Sequence, residues 1–140
     1  RGYHTEPDNQ LPVAGYIRRV QAAEALVLSF PTWSYGLPAI LKGFFDRVFI
    51  PGVSFTLKDG IARPNLTHIR KIAGISTYGR PRWNALLVND PPRAAVTRYL
   101  RVLTAWQASA QYLALYDMNR ATPERCGAFL DKIRREMARF

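Results

Sequence analysis

The sequence predicts an α/β domain, a parallel sheet covered by helices. Three observations carry this expectation. Amphipathic stretches at helical spacing alternate with short apolar runs along the chain, the order that produces a parallel sheet. The run Ala25-Leu26-Val27-Leu28-Ser29-Phe30 is almost continuously apolar, as in a parallel strand buried on both faces. Pro38 and Pro123 open helical patterns, where a missing backbone N–H costs nothing.

The elements follow in order. Residues 1–11 are polar and irregular. Residues 12–23 read as a short helix with Val13, Tyr16, Ile17 and Val20 on one face. The strand over 25–30 is stopped by Pro31, and a turn leads to a helix whose stripe is Ile40, Leu41, Phe44, Phe45 and Val48. Pro51-Gly52 ends that helix. Val53 to Leu57 alternates weakly, as a short extended arm, before the turn Lys58-Asp59-Gly60. A second strand spans 72–77 and leads into Tyr78-Gly79-Arg80-Pro81. Residues 92–106 form a helix with Val96, Tyr99, Leu100 and Leu103 on one face, and 111–115 a third strand. Thr122 caps the last helix, with Glu124 in its first turn. Its stripe is Cys126, Phe129, Leu130, Ile133 and Met137, and Arg134, Arg135 and Arg139 complement the dipole at its end.

At 140 residues and 48% hydrophobic composition, residues 1–140 read as a single domain with a real core. The apolar runs are too short to span a bilayer, and no charged-then-apolar leader opens the chain. A cytoplasmic location without membrane insertion is the expectation. One cysteine excludes an intrachain disulfide, and no metal-spaced Cys/His cluster exists. The net charge of +10 invites an anionic partner. Yet the arginines are dispersed and no nucleic-acid motif accompanies them, so a solvated basic surface is preferred over specific nucleic-acid binding.

Two of the three strands end in unusual turns, Pro31-Thr32-Trp33-Ser34-Tyr35-Gly36 and Ser76-Thr77-Tyr78-Gly79. In a parallel sheet both emerge at the carboxyl edge, where ligand crevices form. Their N–H groups and hydroxyls suit the polar rim of a flat ring, and Trp or Tyr can stack on its face. The same residues would equally serve to cap the core and turn the chain. His4 and His68 lie in loops without an acidic or serine partner, and Cys126 reads as a buried, inert thiol. Asn65-Leu66-Thr67 is a glycosylation sequon in an ordinary loop. Asp46 and Arg47 read as helix-surface residues. No nucleophile–base pair, carboxylate pair or metal cluster emerges, so no catalytic residue is assigned. That pattern fits a binding module or an enzyme whose cofactor carries the chemistry.

The stretch Pro31-Thr32-Trp33-Ser34-Tyr35-Gly36-Leu37-Pro38-Ala39-Ile40-Leu41-Lys42-Gly43-Phe44-Phe45-Asp46-Arg47-Val48-Phe49 closely resembles the signature of the NAD(P)H:quinone oxidoreductase family. The resemblance implies a flavodoxin-like, three-layer fold. It implies a flavin cofactor (FAD or FMN), NAD(P)H as electron donor and a quinone-like acceptor in a two-electron, ping-pong scheme. It places Pro31, Thr32, Trp33, Ser34, Tyr35 and Gly36 in one flavin-binding loop and Ser76, Thr77, Tyr78 and Gly79 in a second. It implies a homodimer in which the arm with Val53, Phe55 and Leu57 reaches the partner's site. Tyr78 departs from the family's usual glycine. Phe55 and Leu57 stand where the mammalian relatives carry tyrosines, and the Tyr/His pair of those relatives has no match after Gly79.

The family pattern opens with a strand, a phosphate-cradling loop, a helix and a second strand, which are not found in this sequence. The resemblance thus implies a C-terminal portion lacking the first βαβ portion. It would supply strands 3-4-5 of the order 2-1-3-4-5, with the strand over 25–30 as an edge. The alternative from another class is a non-enzymatic regulatory subunit of the same fold, for example of an ion-efflux system.

Overall fold

The computed structural model describes residues 10–140. The irregular start, with His4, lies outside the described residues. A 3₁₀ turn, Leu11–Val13, leads into α1 (Ala14–Ala22). β1 (Ala25–Pro31) and α2 (Ala39–Val48) follow. Next come β2 (Phe55–Lys58), β3 (Ile61–Pro64) and β4 (Lys71–Thr77). After the short α3 (Arg82–Leu87), one longer helix comprises α4 (Pro91–Ala94), a π-helical stretch (Ala95–Tyr99) and α5 (Leu100–Leu103). β5 (Ser109–Leu115), a 3₁₀ turn (Met118–Arg120) and α6 (Pro123–Met137) complete the chain.

β1, β4 and β5 form a parallel sheet in the order β1-β4-β5, in a register that pairs Leu28 with Gly74 and Gly74 with Tyr112. This is the order expected for strands 3-4-5. Side chains alternate across a strand, so Phe30, Ile72, Gly74, Ser76 and Tyr112 share one face. On that face Phe30 and Ile72 join the main core with Ile17 and Val20 of α1, Phe45 and Val48 of α2, and Val96, Leu100 and Leu103 of the π-containing helix. Phe44, Phe45 and Phe49 meet edge to face or tilted, with centroids 5.0–6.0 Å apart, a favoured aromatic geometry. The opposite face carries the buried Ala73, Leu113 and Leu115, and α6 lies against β5.

Four expectations need correction. β1 is not buried on both faces: Val27 is 50% exposed, and β4 is the strand enclosed on both sides. The reason is position, since β1 pairs only with β4 among the described residues. The extended arm starts at Phe55 and not at Val53, which is fully buried in the core. The arm is also a hairpin, because Asp59 and Gly60 both adopt positive φ and join β2 to β3, as in an Asp-Gly type I′ turn. The stripe over 92–106 is offset: the π-helical stretch leaves Tyr99 47% exposed while Val96 and Leu100 are fully buried. The stripe of α6 is only partly covered, with Leu130 52% exposed and Cys126 half-buried.

Gly74 is required by close approach. A Cβ there would stand 2.5 Å from the Tyr112 ring and 3.1 Å from Val96, below any normal contact. Its absence lets Tyr112 lie across the central strand. The sequon residue Asn65 is occupied structurally, its amide donating to the carbonyls of Gly52 and Val53 at 3.1 Å each.

Candidate functional site

β1 and β4 are paired to their ends, Pro31 opposite Thr77, so the two turns leave the sheet side by side. The Thr32 N–H donates to the Thr77 carbonyl at 2.8 Å, and the Thr32 and Ser76 hydroxyls are 2.9 Å apart. The structure thus brings together the two segments singled out in the sequence.

The first turn is a tight reversal. Trp33 and Gly36 exchange backbone hydrogen bonds of 3.2 and 2.7 Å. The central residues Ser34 and Tyr35 both have positive φ, 47° and 57°. Gly36 does not, so the turn is not made by glycine freedom. Each non-glycine residue in this region costs about 1 kcal/mol or more and marks candidate functional sites. The turn's backbone bonds use the Trp33 and Gly36 amides and leave those of Ser34 and Tyr35 out of its ladder. Trp33 is 63% exposed. Together with Phe30, Pro31, Pro38, Ile40 and Phe44 it lines an apolar groove of about 340 Å³.

The second turn is anchored from inside. Ser76 and Tyr78 are buried. The Tyr78 N–H donates to Leu115 and its carbonyl accepts from Met118, both at 2.8 Å. The Tyr78 hydroxyl donates to Asp90 and lies 2.8 Å from the Tyr112 hydroxyl. Asp90 also accepts from Tyr116 at 3.1 Å and from Arg93 Nε at 3.2 Å. The Tyr78 and Tyr116 rings stack with centroids 4.5 Å apart, and the Arg93 guanidinium sits over the Tyr112 ring at 4.8 Å. Burial first, then the hydrogen bond to Asp90, pushes the Tyr78 phenol far above its usual range. Burial likewise raises Tyr112. The Tyr78 side chain is therefore committed to the interior, which explains how a tyrosine occupies a position where the family pattern has glycine.

Gly79 lies against Asn119, whose amide oxygen would be 3.3 Å from an added Cβ. Gly79, Arg80, Trp83, Asn84, Asp117 and Arg120 are among the residues lining a cleft of about 430 Å³. Beside the adjacent turns lie two depressions, an apolar one against β1 and a polar one against the ends of β4 and β5. Of the arm residues, Phe55 is half-buried and Leu57 58% exposed. Sequence reasoning missed Asp90, Arg93, Tyr112 and Tyr116, which converge from separate elements. The only local cue was Asn89-Asp90 before two prolines; both adopt positive φ, a habit of Asn and Asp.

His68 contacts the Val20 carbonyl at 3.3 Å, a structural role, and Asp46 pairs with Lys42 on α2. Among the described residues, no group of three His, Cys, Asp or Glu side chains is placed to hold a metal ion. No described helix is long and apolar enough to cross a membrane.

This architecture, parallel strands with paired turns at their carboxyl edge, defines the class. Residues 2–125 match the family described by its flavodoxin-like fold, and the chain belongs to that family. It is 32% identical over 98 residues to the FMN-dependent NADH:quinone oxidoreductase 2 of Hahella chejuensis, covering 70% of this chain and 44% of that protein. It is 31% identical over 62 residues to the NAD(P)H dehydrogenase (quinone) 1 of Rattus norvegicus, covering 44% of this chain and 23% of that one. The chain thus spans less than half the length of these curated relatives. The crystal structure of azoreductase AzrA superposes with a TM-score of 0.78 at 19% identity, covering 97% of this chain and 67% of that one.

Proposed function

We propose that this chain is part of a flavin-dependent NAD(P)H oxidoreductase that passes two electrons to a quinone or similar electrophile. The observation that carries the reading is the pair of turns at the carboxyl ends of adjacent parallel strands, tied by Thr32 to Thr77 and Ser76. A strained, outward-facing turn beside an exposed tryptophan fits the rim and face of an isoalloxazine. The relatives' names favour FMN over FAD. They are the names of oxidoreductases, and nothing in the structure favours the regulatory-subunit alternative.

A bound flavin would supply the two-electron chemistry. The chain's residues would hold and orient it: the backbone amides of Ser34 and Tyr35 and the rings of Trp33 and Tyr35 on one side, and Thr77 to Gly79 as a second backbone wall. Tyr78 has its hydroxyl, N–H and carbonyl all bonded within the protein, so it would shape this wall without bonding the ring itself. Phe55 and Leu57 bring an apolar arm to the acceptor site of a partner copy. The homodimer is supported by the exposed Ile40 and Tyr16, which border a groove of about 440 Å³ between α1 and α2, and by the exposed Leu57 and Ile61 of the hairpin. A cytoplasmic location accords with this chemistry.

The test is direct. The intact protein, incubated with FMN or FAD and gel-filtered, retains visible flavin absorbance at dimer mass and oxidises NADH or NADPH when a quinone is added. Protein that emerges colourless from excess of both flavins overturns the reading.

A further inference from the structure

The net charge of +10 plays no part in the flavin reading, and the polar cleft beside the second turn gives it a local expression. Three segments enclose that cleft of about 430 Å³: the turn at Gly79 and Arg80, the start of α3 with Trp83 and Asn84, and the loop after β5 with Asp117 and Arg120. Backbone bonds fix the first and third against each other. The Met118 N–H donates to the Tyr78 carbonyl at 2.8 Å, and the Asp117 N–H to the Arg80 carbonyl at 2.9 Å. The cleft is thus preformed, and it lies at the carboxyl edge of the sheet, where open α/β folds bind ligands.

Arg80 and Arg120 line the cleft from different segments, and both are exposed. Among the described residues neither forms an ion pair. Asp117 is the one acidic residue in the lining, so positive charge exceeds negative there. Trp83, 59% exposed, adds an aromatic surface. Asn84 carries a buried amide oxygen with no hydrogen-bond partner among the described residues, an acceptor left over on the same wall. Two guanidinium groups suit a dianion, and a phosphate monoester carries up to about two negative charges at neutral pH. Trp83 suits a flat ring beside that dianion, and Asn84 a ligand donor such as an amino or hydroxyl group. An adenosine 2′-phosphate brings all three within one nucleoside, whereas an inorganic anion brings only the charge.

Resting on the flavin reading above, we infer that this cleft receives the phosphoadenosine end of the electron donor, with Arg80 and Arg120 binding its 2′-phosphate, so that the protein selects NADPH over NADH. Gly79 joins the two sites, since it ends the backbone wall proposed for the flavin and also lines the cleft. A donor with its nicotinamide on the flavin extends its other end past this residue. Arg80 and Arg120 determine specificity and do not touch the reacting atoms.

The experiment has a binding arm and a kinetic arm, both on the intact protein. In calorimetric titration, adenosine 2′,5′-bisphosphate binds about tenfold tighter than adenosine 5′-monophosphate, the worth of one charge-assisted hydrogen bond. With a quinone as acceptor, kcat/KM for NADPH exceeds that for NADH by about the same factor. Arg80→Gln and Arg120→Gln each lower both ratios by about threefold, and the double variant brings both to about one. Arg135→Gln, which removes an exposed arginine of α6 outside the cleft lining, leaves both ratios unchanged. That control separates the site from the general attraction of a basic surface. A native ratio of one in either arm, ratios unmoved by the double variant, or ratios lowered as far by Arg135→Gln overturn the inference alone. So does a loss in the double variant shared equally by NADPH and NADH, which would assign the arginines to the bridging phosphates common to both. Protein that binds no flavin, yet keeps an arginine-dependent preference for the bisphosphate, overturns the flavin reading and leaves the cleft as a phosphoadenosine site.

Discussion

The two turns at the carboxyl edge are built on opposite principles. The Trp33–Gly36 turn is held by two backbone hydrogen bonds, stores strain at Ser34 and Tyr35, and exposes its aromatic ring. The turn at Tyr78 is fixed from within by buried polar side chains around Asp90. One offers contact and the other provides anchorage. The lesson is that a backbone able to stay under strain at one place needs a neighbour that does not move. The link between them is short: Thr32 to Thr77 through the backbone and Thr32 to Ser76 through side chains.

The largest effect should come from the anchor. Asp90→Ala strands the Tyr78, Tyr116 and Arg93 donors, and is expected to lower the folding free energy by about 3 kcal/mol. Asp90→Asn, which keeps acceptor oxygen, loses less. Urea denaturation of the two variants measures the difference, and equal midpoints would show the carboxylate to be incidental.

Alkaline pH attacks the same side of the comparison. Burial raises Tyr78 and Tyr112, so the folded protein retains protons that the unfolded chain releases near pH ~10. A group raised on folding stabilises fully below the unfolded value and loses that contribution as pH climbs toward the folded one. Stability should therefore fall above about pH 10, and fall less steeply in Tyr112→Phe. Denaturation midpoints measured across that range decide it.

The strained turn responds in the opposite sense. Ser34→Asn places a residue tolerant of positive φ at an exposed, strained position, and should raise stability by about 0.5 kcal/mol. A fall in melting temperature would refute the strain. The smallest effect belongs to a pair remote from both turns. Lys42→Ala removes the exposed ion pair with Asp46, and should shift stability by no more than about 0.5 kcal/mol, vanishing in high salt.

What the sequence made legible divides along similar lines. The three strands, α2 and the Thr122 cap announce themselves through local pattern, because a periodic stripe or a capping residue acts within a few positions. The Thr122 hydroxyl indeed accepts from the Arg125 N–H. The two turns were found together because both follow strands of one parallel sheet. Val53 misled because its weak alternation continues into the hairpin, while the packing of residues around it is non-local. β3 and α3 were missed for want of any strong period. The Asp90 cluster was unreadable for a deeper reason. Its members come from the turn after β4, the start of α4, β5 and the loop after β5, and only the missing side chain at Gly74 lets Tyr112 reach across to join them.

The burial of Tyr78 also constrains how this site can change over evolutionary time. A phenol at position 78 without a carboxylate at position 90 leaves a buried donor unmatched, and a carboxylate without the phenol leaves a buried charge short of partners. Either single replacement passes through a less stable intermediate, so the two positions should exchange as a pair. Lineages of this fold with glycine at the position of Tyr78 are expected to lack an acidic residue at that of Asp90, and an alignment of such sequences would reveal the coupling as covariation.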